Sequence, residues 1–477
     1  MSRQRVIPID RESPFEVDEL FFSTTDRKGI IRSGNDVFVR VSGWSFPELV
    51  GAPHNLIRHP DMPRAVFKLL WDTISVGGTV AAYVKNMAKD GSYYWVLAVV
   101  EPVGDGYLSV RMKPTSPVLA TVAGLYASVA AEETRLEESG VPRKEAIAAS
   151  TKLLLDGLNA AGFPDYASFM RLVIPTELAA RESAMSRESH RRRAGGSTLA
   201  EIVTSCGTLH DYLSTLFANL DSYRSLSEAL QRKSTFVLGL ADDIRLFSLN
   251  ALIASTRLDH GGASLSVISD IMRDRSRETA AIIGDLDERV AEVKPLLQDL
   301  GFELGIAKLQ TEMTLGFAES LALSERDEAD DHLIRDDILA LTTCLSQSVA
   351  TIVDRLGRVD AQLSQVAHHV GRLAHQLRFL EALHLNGRVE AARLDSSAAF
   401  GQLFAEIGGQ IEAAGREIGE FGALANNSAM RASTVGPDAV RHELEKLEAL
   451  VAVLTAETDT PADEQPERDD ALELATR

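Results

Sequence analysis

Residues 80–113 contain three apolar runs, VAAYVKNMA (80–88), YYWVLAVVEPV (93–103) and YLSVRMK (107–113), and they decide the fold of the N-terminal region. All three are rich in β-branched and aromatic residues, which suit a pleated, half-buried surface. The first break is Lys89-Asp90-Gly91-Ser92. Asp-Gly between apolar runs predicts a hairpin with both central residues at positive φ. The second break, Gly104-Asp105-Gly106, predicts another hairpin. The stretch therefore reads as a three-stranded antiparallel meander.

Working upstream, FFSTT (21–25) and GIIRS (29–33) read as strands joined by a turn at 26–29. Short helices fit at 35–42 and 63–76. Downstream of residue 118 the texture becomes helical, with breaks at Pro142 and Pro164, and the basic, Gly-rich HRRRAGGS (190–197) reads as a boundary. From 198 to about 456 the pattern is heptad-like. Ile352, Leu356, Val359, Leu363, Val366, Val370, Leu373, Leu377 and Leu380 alternate spacings of four and three, as do Val237, Leu240, Ile244, Phe247, Ala251, Ala254 and Leu258. That is the seam of a coiled coil or long bundle. The acidic, proline-containing tail from 456 reads as disordered. The predicted organisation is a sensor at 1–118, a helical linker at 119–197, helical hairpins at 198–330 and 331–455, and a tail at 456–477.

Composition narrows the function. A net charge of -20 over 477 residues opposes nucleic acid, whose phosphates need Lys and Arg, and anionic membrane surfaces. Hydrophobic residues at 45% allow real cores. The two cysteines, Cys206 and Cys344, make no disulfide framework and fit a reducing cytoplasm as buried small residues. The N-terminus lacks an apolar core for a signal peptide, and the uncharged stretch at 115–131 is too rich in Ser, Thr and Ala for a membrane helix. No nucleotide-binding Gly-rich box and no clustered metal ligands are found, so no metal, no membrane insertion and no enzymatic activity are expected.

An internal repeat stands out in the helical region. LNALIASTRLD (249–259) aligns with LNGRVEAARLD (385–395), and small residues follow each copy, Gly261-Gly262-Ala263 and Ser397-Ala398-Ala399. Each copy reads as the tip of a helical hairpin, with turns near 260 and 396 and a base connection at SERDEADDH (324–332). Both tips then fall at one end of an intramolecular antiparallel four-helix bundle, with Gly284, Pro295 and Gly301 bending the second arm.

Two resemblances add to these readings. ELFFSTTDRKGIIRSGNDVFVRVSGW, PHNLIRHPDMPRAVFKLLWDT and YVKNMAKDGSYYWVLA closely resemble the PAS domain of aerotaxis (energy-taxis) receptors over roughly residues 15–115, with HNLIRHPDMP (54–63) the most specific part. The resemblance implies an α+β PAS domain that binds FAD non-covalently and reports redox state or oxygen supply. A flat isoalloxazine ring needs an apolar slot, a stacking partner and a few polar groups. Asn35 and Asn86 carry amides that match its edge, Trp71 and Trp95 can line the slot, and Arg58 and His59 can meet the phosphates; Asp61 also matches the motif. Two alternatives stay open: Asn35 as a helix cap, and the tryptophans as plain core. The repeats resemble the hairpin tip of methyl-accepting chemotaxis proteins, giving an all-α long helical bundle of chemoreceptor-like, coiled-coil character. Asn250, Arg257, Asn386, Glu390 and Arg393 match its docking surface, which implies the chemotaxis histidine kinase and its coupling protein as partners, with a homodimer as an allowed assembly. Ala254, Gly387 and Arg388 depart from that pattern, and methylation sites are not recognisable. The expected function is a cytoplasmic redox or oxygen sensor in chemotaxis. The competing expectation is a PAS-regulated scaffold that docks a polar or flagellar protein.

Overall fold

The structure is a computed structural model that describes residues 6–185, 198–255, 262–323, 328–393, 398–426 and 437–456. The predicted boundary at 190–197, the tips near 260 and 396, and the tail lie outside these residues. So do the side chains of the predicted seam at 237–258. The chain divides into two compact units. One holds Met1–Ser214, Gly301–Ile352 and Pro437–Arg477, the other Thr215–Leu300 and Val353–Gly436.

The first unit is built on a five-stranded, wholly antiparallel sheet: β1 (Leu20–Asp26), β2 (Ile31–Gly34), β3 (Val80–Met87), β4 (Tyr93–Val103) and β5 (Gly106–Met112). The order is β2-β1-β5-β4-β3. The meander forms as read, with Lys85 opposite Trp95 and Val99 opposite Val110. The first turn closes differently from the sequence expectation. Only Gly91 has positive φ, at 92°, and Asp90 does not. The loop spans five residues between Met87 and Tyr93, so one left-handed residue suffices, and Asp90 instead accepts from Ser92 N and Oγ. Gly91 is also required by space, since a Cβ there would lie 2.2 Å from the Ile7 carbonyl oxygen.

Between β2 and β3 lie α1 (Asp36–Ser42), α2 (Phe46–Leu49), a 3-10 turn at His54–Ile57 and α3 (Arg64–Ile74). They cover one sheet face. α3 opens after Pro63, which has no side-chain cap to offer. The cap comes from elsewhere: Glu133 of α4 (Val118–Glu138) accepts from Arg64 N and Ala65 N, each at 2.9 Å, and from Ser150 Oγ of α5 (Arg143–Ala160) at 2.8 Å. Glu133 is 4% exposed, so Glu133→Ala should leave two backbone donors unpaired, Ser150 Oγ keeping Ile147 O, and cost about 2–3 kcal/mol in chemical denaturation. A loss below about 1 kcal/mol would show that water replaces it.

The other sheet face is covered by helices from later in the chain. α6 (Tyr166–Ala184) runs through Pro175 and lies on β3, with Tyr166 OH donating to Ala81 O at 3.0 Å. The long helices follow: α7 (Thr198–Ser255), α8 (Gly262–Leu323), α9 (Glu328–Ala392), α10 (Ala398–Asn426) and α11 (Pro437–Ala456). α7, α8 and α9 each contribute to both units. In the first unit, Phe317 of α8 meets Phe22 of β1 edge-on at 4.9 Å. α8 approaches α6 at Gly305, where a Cβ would lie 2.4 Å from Ile174 Cγ2.

In the second unit consecutive helices pack antiparallel. Arg355 pairs with Asp299 at 3.2 Å, Gln362 donates to Glu292 at 2.8 Å, and the Arg275 guanidinium lies 4.9 Å from the Phe379 ring centre. Moving forward along α9 thus moves back along α8 by equal steps. α10 continues the pattern, with Gly422 against Val370 and Gly408 against His384. The heptad residues from Ile352 to Leu380 are all buried, as their spacing requires. α8 continues as one helix through Gly284, Pro295 and Gly301. α9 begins at Glu328, inside the acidic stretch read as a helix-poor connection: acidic residues in a first turn complement the helix dipole.

Candidate functional site

The sheet face under α1–α3 encloses a cavity of about 440 Å³. Strand alternation supplies its floor: Ser23 and Thr25 of β1, Tyr107, Ser109 and Arg111 of β5, Ala98 and Val100 of β4, Val84 and Asn86 of β3. The roof comes from the 3-10 turn and α3, with His54, Asn55 and Arg58, then Phe67, Leu70, Trp71 and Ile74.

Three of the predicted cofactor residues reach this wall: Arg58, Trp71 and Asn86. The Arg58 guanidinium lies 4.1 Å from the Phe67 ring centre and donates to Met62 O at 2.7 Å. Burial, before the repulsion of Arg64, brings its pKa down to about 10, so it stays charged at neutral pH. Trp71 is 38% exposed, with its edge against Tyr107, and sits at the rim. Asn86 is buried, and its residue bridges to Arg58 along the free edge of β3.

Four others lie off the wall. Asn35 caps α1: its Oδ1 accepts from Phe38 N and Phe22 N, each at 3.1 Å, and its Nδ2 donates to Leu20 O at 2.7 Å. With its oxygen accepting twice and its nitrogen tying α1 to β1, it takes the capping role that SGND allowed. His59 is buried beside the wall, where its Nδ1 accepts from Asp61 N at 3.2 Å. Asp61 is exposed and pairs with Lys85 at 2.7 Å. Trp95 points to the opposite face, because it shares the parity of Leu97 and Val99, and it lies 6.5 Å from the Tyr126 ring of α4.

The cavity also holds residues that sequence reasoning missed. Arg111 is 4% exposed and central in the sheet. Its Nη2 donates to Ser23 Oγ at 2.8 Å and meets His54 Nε2 at 2.7 Å. A guanidinium accepts nothing, so Nε2 accepts and the ring proton sits on Nδ1. Burial, then the Arg111 charge, holds the His54 pKa down at about 3, and the ring is neutral. Arg111 Nη1 and Ser109 Oγ are buried with no hydrogen-bond partner. The signal for them was the string Tyr107, Ser109, Arg111, three polar-tipped residues on one face of a strand.

A planar ring with an acceptor edge fits this lining. The walls are largely apolar and aromatic, and two of the lining residues, Ser109 and Arg111, carry buried donors without partners. Volumes of roughly 300–1,000 Å³ are usual for small-molecule sites. Arg58, Asn86, Arg111 and Ser109 would hold such a group.

The sheet, the helical roof and the cavity between them define a PAS domain, and residues 32–110 match the family model described as PAS fold. The Aerotaxis receptor of Escherichia coli (strain K12) is 40% identical over 141 residues, which is 28% of this chain and 28% of that receptor. The chain therefore matches little more than a quarter of that relative's length. No described helix is long and apolar enough to cross a membrane.

Of the residues read as docking positions, Asn250 and Asn386 are exposed on α7 and α9, as are Leu249, Ile253, Leu385 and Val389. Glu390 and Arg393 pair with each other at 2.9 Å. Arg257 lies outside the described residues.

Proposed function

We propose that this chain is a cytoplasmic, non-enzymatic sensor for energy taxis, with FAD held non-covalently in the PAS cavity and output carried by the long helices. The observation that carries the reading is the cavity itself, walled by Arg58, Trp71 and Asn86 and lined by two residues with unsatisfied buried donors, in a domain 40% identical to part of an aerotaxis receptor. Bound FAD would supply a ring whose charge and hydrogen bonding change with reduction. Arg58 and Asn86 orient it, and the apolar roof keeps water from it.

The strands give the sensor its output. Each presents one residue to the cavity and a near neighbour to the covering helices. On β3, Asn86 lines the cavity while Tyr83 donates to Glu177 of α6 at 2.6 Å. On β4, Val100 lines it while Glu101 accepts from Gln310 of α8 at 2.6 Å. A shift of strand position at the ring is thereby felt by α6 and α8. The chemotaxis histidine kinase and its coupling protein are the partners this output fits, through the exposed positions at Asn250 and Asn386.

Purified protein should be yellow, with flavin bands near ~370 and ~450 nm, and denaturation should release the flavin unmodified. Arg58→Ala should weaken FAD retention by about 1–3 kcal/mol while leaving the fold intact. A colourless protein that takes up no FAD on reconstitution would end the flavin reading. Failure to co-purify with the kinase and coupling protein would end the assignment of partners and leave the sensor.

A further inference from the structure

We infer that Arg111 and Ser109 form a charge-holding corner of the cavity that favours the reduced, negatively charged cofactor ring over the oxidised one. This rests on the reading of the cavity as a flavin site.

The argument starts from charge. The chain as a whole is strongly acidic, at -20, yet no Asp or Glu lines the cavity; its charged walls are Lys28, Arg58 and Arg111. Arg111 is the most deeply placed of these, 4% exposed. Its described contacts are neutral: the Ser23 hydroxyl, the His54 ring and, at 5.6 Å, the face of Phe38. Burial lowers its pKa only to about 10, so it carries a full charge at neutral pH. A buried cation without a counter-ion is costly and awaits an anion. Ser23 and His54 fix the guanidinium through Nη2 and leave Nη1 over. Ser109 stands two residues along the same face of β5, and its Oγ is likewise buried without a partner. Two donors on adjacent inward positions of one strand suit one acceptor edge.

Two electrons from a soluble reductant, with one proton from water, would leave the ring carrying a negative charge. The added negative charge needs a partner where water is excluded, and a fixed cation there is worth more than in solvent. His54, held neutral, does not compete as a proton donor at this corner.

The test is reductive titration of FAD-loaded full-length protein with dithionite against a reference dye. Arg111→Gln keeps a donor, on a shorter side chain, and removes the charge. It should lower the affinity for reduced relative to oxidised FAD at least tenfold, a potential about 30 mV more negative for a two-electron couple. Arg111→Lys should retain most of the preference, and Ser109→Ala should lose a smaller part. In the unaltered protein the reduced ring should also resist protonation to lower pH than free reduced FAD, followed by absorbance. That measurement decides the matter if Arg111→Gln fails to fold. Retained FAD with a preference within threefold of the original in Arg111→Gln overturns the inference alone, as does a reduced ring that protonates like the free cofactor. No FAD uptake by the unaltered protein overturns the flavin reading, and this inference with it.

Discussion

Arg181→Ala is expected to lower the stability of the first unit by about 3–5 kcal/mol, the usual cost of breaking a buried ion pair from one side. Arg181 is 2% exposed on α6. Its guanidinium grips Glu312 of α8 with two bonds, at 2.8 and 2.6 Å, and its remaining donors reach Val17 O at 2.7 Å and Asp18 O at 2.9 Å. One side chain thus ties the segment entering β1, the helix on the sheet and the long helix beyond. Its removal strands a carboxylate and two carbonyls. The fork geometry matters, so Arg181→Lys should recover less than half of the loss. Urea unfolding followed by tryptophan fluorescence measures this. A loss under about 1 kcal/mol for the alanine variant would mean that the seam between α6 and α8 is held by other contacts, such as Lys308 with Glu182.

The second large effect is a dependence on pH. Glu101 of β4 and Asp337 of α9 are 8% and 6% exposed. Glu101 accepts from Gln310, and Asp337 accepts from Ser33 Oγ of β2 at 2.7 Å. Burial raises the pKa of each to about 7. The folded values thus lie above the unfolded ones, so both carboxyls bind protons more tightly when folded. Their contribution is fully favourable below about pH 4, the unfolded range, and is lost as pH rises to about 7. Glu101→Gln removes the penalty and keeps an acceptor for Gln310. It should therefore stabilise at pH 8, by on the order of 2–4 kcal/mol, and change little at pH 4. Asp337→Asn should behave alike. Denaturation midpoints at the two pH values test this; equal destabilisation at both would show that the carboxylates are charged and satisfied.

Much of the fold was legible because it is written locally. The meander is marked by Gly91 and Gly104, which set its turns, and the rod by spacings of three and four that the buried set from Ile352 to Leu380 reproduces. The site was half legible. HNLIRHPDMP pointed to Arg58, while its neighbours His59 and Asp61 turned out to bond each other's turn and Lys85. Arg111 stayed hidden for a physical reason. In YLSVRMK the apolar set is Leu108, Val110 and Met112, and alternation alone puts that set inward and Arg111 in solvent. Every residue of β5 is buried, because one face meets the cavity and the other is covered by helices. No local pattern announces a strand whose second face is covered by residues far along the chain. Glu101 and Asp337 were missed for the same reason.

That distance has a consequence during synthesis. The partners of the sensor sheet come late: Ser33 waits for Asp337, 304 residues on, and Glu101 for Gln310, 209 residues on. At about 5–20 residues per second, the sheet leaves the ribosome roughly 10–60 s before the covering of its second face is complete. For that time Phe22, Leu108 and Val110 stand on an open apolar surface. The nascent chain is then a client for any holding chaperone that recognises such a surface, and slow elongation in the region of α7 and α8 lengthens its exposure.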